Sequence, residues 1–313
     1  MRVHLDTDLA GDPDDVAALV YLLARDDVEL TGITTVDDAG GRRAGYVAEV
    51  LRLTGRHDVP FAAGAEVSLT TGLPGGRPPP GPPYWPAKAP ARPGPLDAAL
   101  DLLAASVSAG AIVVGIGPAT TLAHLERRSP AALRDAHVVL MGGWVEQPPD
   151  GFPRWQAARD WNTVCDPVAA TEVRRAAGRL TVVPLAVTAR VHLRDRDLPR
   201  LRASGPVGRL MATQAEAYRD DQGTTALALA HSGLPDDLVN FYHDPLAVAV
   251  ATGWPGVTVE TTTLRPVPGD DVGQLERTSA TDPAGRLVDL VVAVDGTAFA
   301  EHWLRTVEAL PRA

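Results

Sequence analysis

The chain has 313 residues, 45% apolar and 22% charged, the proportions of a globular protein long enough to bury a sizeable core. Its net charge of −10 argues against a nucleic-acid partner, and its single cysteine, Cys165, excludes an intrachain disulfide. No apolar run approaches the roughly 18 residues of a membrane span, and MRVHLDTD has no apolar leader core, so a soluble, cytoplasmic protein is expected.

In chain order, Val3–Leu5 reads as a short buried strand. Asp14–Arg25 reads as a helix with Val16, Leu19, Val20 and Leu23 on one face. Val28–Val36, rich in β-branched residues, reads as the next strand and completes a βαβ unit. The alternation then repeats. Helices are predicted over Ala44–Leu53, Leu96–Ser108, Thr120–Arg128 and Pro167–Ala177. Strands are predicted over Val59–Ala62, Ala111–Ile116, Ala136–Met141 and Leu180–Pro184. Such alternation argues for an α/β protein with an open, mostly parallel sheet and helices on both faces. After Leu193 the pattern is mainly helical. A strand pair, Val257–Leu264 and Leu287–Val294, then leads into a last helix, Ala298–Leu310. No domain boundary or internal repeat is visible, so residues 1–313 are read as one domain.

Gly72–Pro95 breaks the pattern with ten prolines and five glycines, and cannot be a regular element. It is either a surface linker or a flap over the active site. Tyr84 and Trp85 within it would give a flap something to place on a ligand.

The most informative stretch is DTDLAGDPDD, which carries Asp6, Asp8, Asp12, Asp14 and Asp15 between the first strand and the first helix. In parallel sheets this is where ligands bind, beyond the carboxyl ends of the strands. Aspartates so close together repel one another unless a cation, protons or water compensates. Helix capping accounts for one or two of them, not five. An EF-hand fails, because its twelfth position needs Glu and holds Ala17. A haloacid-dehalogenase type of phosphoryl transfer would use Asp6 as nucleophile and Asp8 as acid. It would also need a lysine near the phosphate, and Lys88, the only one, lies in the Pro-rich loop. The remaining reading is a site for a hard cation. Asp8 and Asp15 could converge on one ion, with further oxygens from His243–Asp244 and from the strand-end turn Ile116–Gly117–Pro118.

In these stretches the sequence resembles the nucleoside hydrolases, the inosine–uridine-preferring nucleoside N-ribohydrolase family. Asp6–Leu19 is similar to the family's D-T-D-x-G-x-D-x-D-D-A-x-A-L variant, and Gly32–Val36 matches its second strand. Gly117–Ala123 resembles G-P-L-T-N-L-A, and Met141–Gly143 resembles M-G-G. Asp160–Pro167 resembles E-F-N-x-x-x-D-P, and Tyr242–Val248 resembles the late H-D-x-L-A segment. The resemblance implies an open Rossmann-like α/β sheet, a bound Ca²⁺ and hydrolysis of a ribosyl N-glycosidic bond. It also implies a small nucleoside or related riboside as substrate and a homodimer or homotetramer. By position, it implies Asp8, Asp15, Asp244 and the Ile116 carbonyl as Ca²⁺ ligands. Asp8 would also be the general base on the water, and His243 would face the leaving base as its acid. Asp14 would face metal and ribose, Asp160 and Asn162 would hold the sugar, and Asp6 would orient its neighbours. The chemistry agrees: an oxocarbenium-like transition state favours carboxylates near the sugar, and the departing base needs a proton.

The sequence also departs from the family. The G-N asparagine before the E-F-N segment is missing, and Arg154 or Gln156 would have to supply that ribose contact. The loop after the second strand reads Val36-Asp37-Asp38-Ala39-Gly40, with Asp38 expected to meet the ribose. The Pro-rich loop, with Trp85 as its expected substrate contact, replaces an H-G-x-x-G loop. Ala186 stands where L-D-V-T has its aspartate. These changes imply an intact metal-and-water apparatus with an altered substrate shell. The reading is a ribonucleoside hydrolase with an altered substrate shell and the base left open; the alternative is a hydrolase of a modified or non-nucleoside N-riboside. Against it stand a non-catalytic Ca²⁺- or ribose-binding relative and, less favoured, a phosphatase.

Overall fold

The computed structural model describes residues 1–75, 81, 84–85 and 89–310; Lys88 and much of the Pro-rich loop lie outside the described residues. The predicted βαβ start is present as β1 (Arg2–Thr7), α1 (Asp14–Leu23) and β2 (Glu29–Thr35). It continues through α2 (Arg42–Leu53), β3 (Phe61–Ala62), α3 (Leu96–Ser108), β4 (Ile112–Gly115), α4 (Thr120–Arg128) and β5 (His137–Met141). Two helices, α5 (Trp161–Cys165) and α6 (Pro167–Ala176), precede β6 (Arg179–Val183).

The next third departs from the mainly helical expectation. A four-residue helix, α7 (Leu185–Thr188), leads to β7 (His192–Arg194). Next come α8 (Leu198–Ala203), α9 (Pro206–Gln222) and α10 (Thr224–Leu229), and then β8 (Leu238–Phe241). β7 and β8 pair antiparallel as a small separate sheet. α11 (His243–Ala251) follows at once. The chain closes with β9 (Val257–Pro266), β10 (Leu275–Arg277), β11 (Arg286–Val294) and α12 (Gly296–Glu308). Strands of three or four residues carry too few positions to show a period-2 alternation, which is why β7, β8 and β10 escape a sequence reading.

Among the described residues the main sheet has nine strands, in the order β10-β9-β11-β6-β5-β4-β1-β2-β3. It is parallel from β3 across to β11, and β9 and β10 add an antiparallel edge. Successive residues feed opposite faces, as pleating requires. Val114, Val139 and Val183 join the core under α1, α11 and α12, whereas Val113, Val138 and Val182 join the core under α3, α4 and α6. With both faces covered, the functional chemistry is confined to the sheet's edges. The chain leaves β1 in one direction for β2 and β3 and in the other for β4, β5 and β6. The crevice between the carboxyl ends of β1 and β4 is therefore the topological switch point, the place where such sheets bind ligands.

Candidate functional site

Six aspartates gather at that switch point: Asp6, Asp8, Asp12, Asp14, Asp15 and Asp244. Asp6, still in β1, is fully buried; Thr34 Oγ1 donates to its Oδ1 at 2.5 Å, while its Oδ2 has no partner among the described residues. Asp8 leaves the strand beside Gly117. A Cβ at position 117 would stand 2.8 Å from both the Asp8 amide nitrogen and Oδ1, so the glycine permits the approach of β1 and β4. Asp14 and Asp15 open α1 and are buried there. Thr7 Oγ1 donates to Asp15 Oδ1, and the Asp244 amide, in the first turn of α11, donates to Asp14 Oδ2 at 3.1 Å. Asp12, for which the sequence offered no role, accepts from Asn240 Nδ2 of β8 at 2.9 Å and so fastens the aspartate loop to the second sheet.

Asp14, Asp15 and Asp244 each offer one oxygen to a cluster in which these atoms lie within 4.8 Å of one another. The tightest trio thus contains Asp14 in place of the expected Asp8, whose carboxylate lies against Gly117 instead. Asp8 is nonetheless close enough to raise the pKa of both Asp15 and Asp244. Burial drives Asp14, Asp15 and Asp244 well above the usual carboxylate range, and their mutual repulsion adds to it. Burial raises Asp8 to about 6, opposed by Arg43.

The donor set fits a hard cation. All three groups are carboxylates, no nitrogen or sulfur ligand joins the trio among the described residues, and two oxygens on one Ca²⁺ lie at most about 5 Å apart. Arg43, which lies beside Asp8, is buried. It donates to the carbonyls of Asp8 and Leu9 and to Asp37, bracing the loop's backbone. A cation would therefore relieve both the repulsion and the burial cost.

Around the trio, Asn162 Nδ2 donates to the Ile116 carbonyl at 2.8 Å and to the Met141 carbonyl at 3.3 Å. It ties the ends of β4 and β5 together, and the second lone pair of the Ile116 oxygen is left for another partner. Asp160 is buried on the Gly142–Gly143 turn, accepting from the Gly143 amide at 2.6 Å. Trp161, between these two, is 52% exposed, a large apolar surface that the sequence reading did not single out.

His243 accompanies Asp244 to the site, with Nδ1 2.8 Å from Thr188 Oγ1 and its ring stacked on Phe241 at 5.3 Å. Desolvation, then the charge of Arg159, lowers it to about 3. Burial thus favours the neutral ring. What it can offer is one N–H, and its direction depends on the hydrogen bond with Thr188.

Two expected substrate contacts are not brought to the site. Asp38 is fully buried and accepts from Thr35 Oγ1 at 2.7 Å and from the amides of Arg43 and Ala44 at 2.6 and 2.9 Å, fixing the start of α2. Its neighbour Asp37 faces Asp8 and contributes to that group's raised pKa. Trp85 is 2% exposed and packs on Tyr46 of α2 with ring centroids 4.1 Å apart, so its ring is part of the core. Tyr84 is buried as well, its hydroxyl donating to Asp221 of α9 at 2.7 Å. Of the substitutes considered for the missing asparagine, Arg154 is exposed and paired with Asp150, and Gln156 is exposed.

The open α/β sheet carries a buried carboxylate trio at its switch point, an arrangement able to hold a divalent cation. The chain belongs to the inosine-uridine preferring nucleoside hydrolase family, whose sequence profile matches residues 3–301. It is 29% identical over 223 residues to the pyrimidine-specific ribonucleoside hydrolase RihA of Citrobacter koseri, covering 64% of this chain and 65% of that protein. The RihA of Klebsiella pneumoniae is 29% identical over 260 residues, 75% of each chain. Among solved structures, the plant nucleoside hydrolase PpNRh1 superposes with a TM-score of 0.78 at 22% identity over 99% of both chains. A purine-preferring ribonucleoside hydrolase from Gardnerella vaginalis gives 0.75 at 24%, also over 99% of both. These two likenesses establish the fold.

Proposed function

We propose that this chain, working as a single unit, hydrolyses the N-glycosidic bond of a ribonucleoside to ribose and free base. The observation that carries the proposal is the buried trio Asp14, Asp15 and Asp244 at the switch point of a chain in the nucleoside hydrolase family. Asp15 and Asp244 would hold a Ca²⁺ ion, with Asp8, the Ile116 carbonyl and Asp14 completing the oxygen set. A bound Ca²⁺ would supply a water of lowered pKa and a hold on the sugar hydroxyls. Asp8, half-buried where Asp14, Asp15 and Asp244 are buried, would accept the proton from the attacking water. The negative charge of the cluster favours positive charge developing on the ribosyl carbon. His243, as a neutral ring, would donate a hydrogen bond to the departing base. Asn162 and Asp160 would set the shape of the sugar's binding edge by fixing the ends of β4 and β5.

The curated relatives are named as pyrimidine-specific and one structural relative as purine-preferring, so the proposal is stated for ribonucleosides as a class. Asp38 and Trp85 are absorbed into the fold, and Ala186 replaces the family's aspartate. These features support an altered outer substrate shell and, with it, a shifted base or a modified riboside. A homo-oligomer in the cytoplasm is part of the same reading. Among the described residues no helix is long and apolar enough to cross a membrane.

The test is a panel of ribonucleosides incubated with Ca²⁺-loaded protein and assayed for free ribose. Release from at least one nucleoside, lost in Asp8→Asn with sugar binding retained, is expected. Ribose binding without release from any member would favour the non-catalytic relative. Phosphate release without ribose release would favour the phosphatase reading.

A further inference from the structure

The antiparallel edge of the sheet supplies no side chain to the site, yet it reaches Asp160 through one buried cation. Arg174 of α6 is 8% exposed. Its Nη2 donates to Thr163 Oγ1 of α5 at 2.9 Å, and its Nη1 donates to the Gly273 carbonyl at 3.2 Å. Its Nε has no hydrogen-bond partner among the described residues. Gly273 lies in the connection from β9 to β10, at a φ of +78°. It is pressed onto α5, since a Cβ there would stand 2.3 Å from Thr163 Cγ2.

The β9–β10 hairpin is fastened a second time, by the Leu275 amide, which donates to the Trp144 carbonyl at 2.9 Å. Trp144 directly follows the Gly142–Gly143 turn that carries Asp160. A Cβ on Gly143 would stand 3.8 Å from Arg174 Nη2, and one on Gly142 would stand 2.8 Å from Asp160 Oδ1. The guanidinium and the carboxylate therefore lie against the same two-glycine turn. A buried guanidinium is costly unless a negative charge answers it. Both of its printed acceptors are neutral, so the answer comes from Asp160 at longer range, which buried surroundings permit. Burial raises the Asp160 carboxyl above its ordinary range; Arg174 is the strongest influence opposing that rise, and the Thr163 side chain adds to it. Burial lowers Arg174 in turn, and Asp160 is the charge that opposes it.

We propose that Arg174 is a positioning residue, which ties the β9–β10 hairpin to α5, holds Asp160 on the Gly143 amide and so sets the edge that receives the sugar. The proposal rests on the reading that Asp160 shapes that edge. It is tested on the full, Ca²⁺-loaded chain in Arg174→Met and Arg174→Lys. Three quantities are measured: KM and kcat for the best ribonucleoside, calorimetric affinity for ribose, and hydrogen exchange at the Gly143 amide. In Arg174→Met, KM should rise and ribose affinity fall by roughly tenfold, with kcat per folded molecule within about threefold. Exchange at Gly143 should quicken by about tenfold or more while the strands β4 and β5 stay protected. Arg174→Lys, which keeps the charge, should recover most of these losses. Thr163→Val keeps Arg174 and removes the hydroxyl between the two groups. It should give a smaller change of the same kind, and it carries the test if Arg174→Met fails to fold. Unchanged exchange at Gly143 in the folded variants would overturn the positioning role itself, as would a lysine variant no better than the methionine one. Faster exchange with KM and ribose affinity unchanged would overturn it through the other premise, by removing Asp160 from the sugar's edge.

Discussion

The amide of Asp244 donates to the carboxylate of Asp14 at 3.1 Å, joining residues 230 apart in sequence at one point. It locks the first turn of α11 to the first turn of α1, and both helix starts face the carboxyl end of β1. The hydrogen bond offsets little of the repulsion among Asp14, Asp15 and Asp244, all of which are pushed well above the usual carboxylate range. A cluster so arranged is a strained element of the fold that binding can relieve.

The first prediction follows from that strain. Chelator-treated protein should melt at a lower temperature than protein in excess Ca²⁺. A free ion concentration of 100 times its dissociation constant should contribute about 2.7 kcal/mol. Asp244→Asn should erase this Ca²⁺-dependent rise and, by removing one like charge, leave the chelated protein at least as stable as the chelated wild type. A melting temperature indifferent to Ca²⁺ in the wild type would remove the trio as a metal site.

Gly117 offers a test of geometry apart from charge. In Gly117→Ala the new Cβ would meet the amide and carboxylate of Asp8 at 2.8 Å, so Asp8 must move. Displacements of about 1 Å in such a group can cost up to a hundredfold in rate. Turnover should fall by at least roughly tenfold while the melting temperature falls modestly. Loss of stability with turnover per folded molecule unchanged would show that Asp8 does not need this position.

The sequence revealed the sheet's first half because each strand there is a β-branched run bounded by a patterned helix, and it revealed Asp14, Asp15 and Asp244 because they sit in recognisable motifs. It could not separate Asp37 from Asp38. Both follow β2, and which one faces Asp8 depends on the positive φ of 51° at Asp37 and on the donors that α2 presents to Asp38. Arg43 was invisible for a similar reason: it lies on a helix whose pattern looks amphipathic, and only the fold carries its guanidinium to the carbonyls of Asp8 and Leu9. Trp85 looked like a ligand platform because prolines surround it. Its partner Tyr46 comes from α2, a contact that no local pattern encodes.

Asp38 can therefore be tested as a structural residue. Asp38→Ala should destabilise the protein by about 1–2 kcal/mol through loss of the α2 start, and should leave KM for the best nucleoside within about twofold. A rise in KM with unchanged unfolding in urea would restore Asp38 to the ribose.

Asp166 should prove more costly than any ligand. It is fully buried and accepts from Thr120 Oγ1, Thr70 Oγ1 and the Leu69 amide, each at 2.7 Å, while also capping α6 through the Ala169 amide at 3.2 Å. Replacing it by Ala leaves several buried donors unpaired, for a loss of roughly 3 kcal/mol or more. The urea midpoint reads this directly; a shift below about 1 kcal/mol would mean that water or neighbouring groups take over.

His4 links stability to pH. It is fully buried in β1, with Nδ1 2.9 Å from Ser106 Oγ and Nε2 3.1 Å from Thr34 Oγ1, and burial lowers its pKa to about 3. The unfolded chain takes up this proton near pH 6.5, whereas the folded chain resists it until about pH 3. The contribution is therefore fully present above about 6.5 and lost as pH falls, at roughly 1.4 kcal/mol per unit. The metal-site carboxylates, with raised pKa values, act in the opposite sense in metal-free protein, so the comparison is made in saturating Ca²⁺. Between pH 6.5 and 4, wild-type stability should fall more steeply than that of His4→Gln by about one proton's slope. Parallel curves would mean that His4 carries the same protonation in both states.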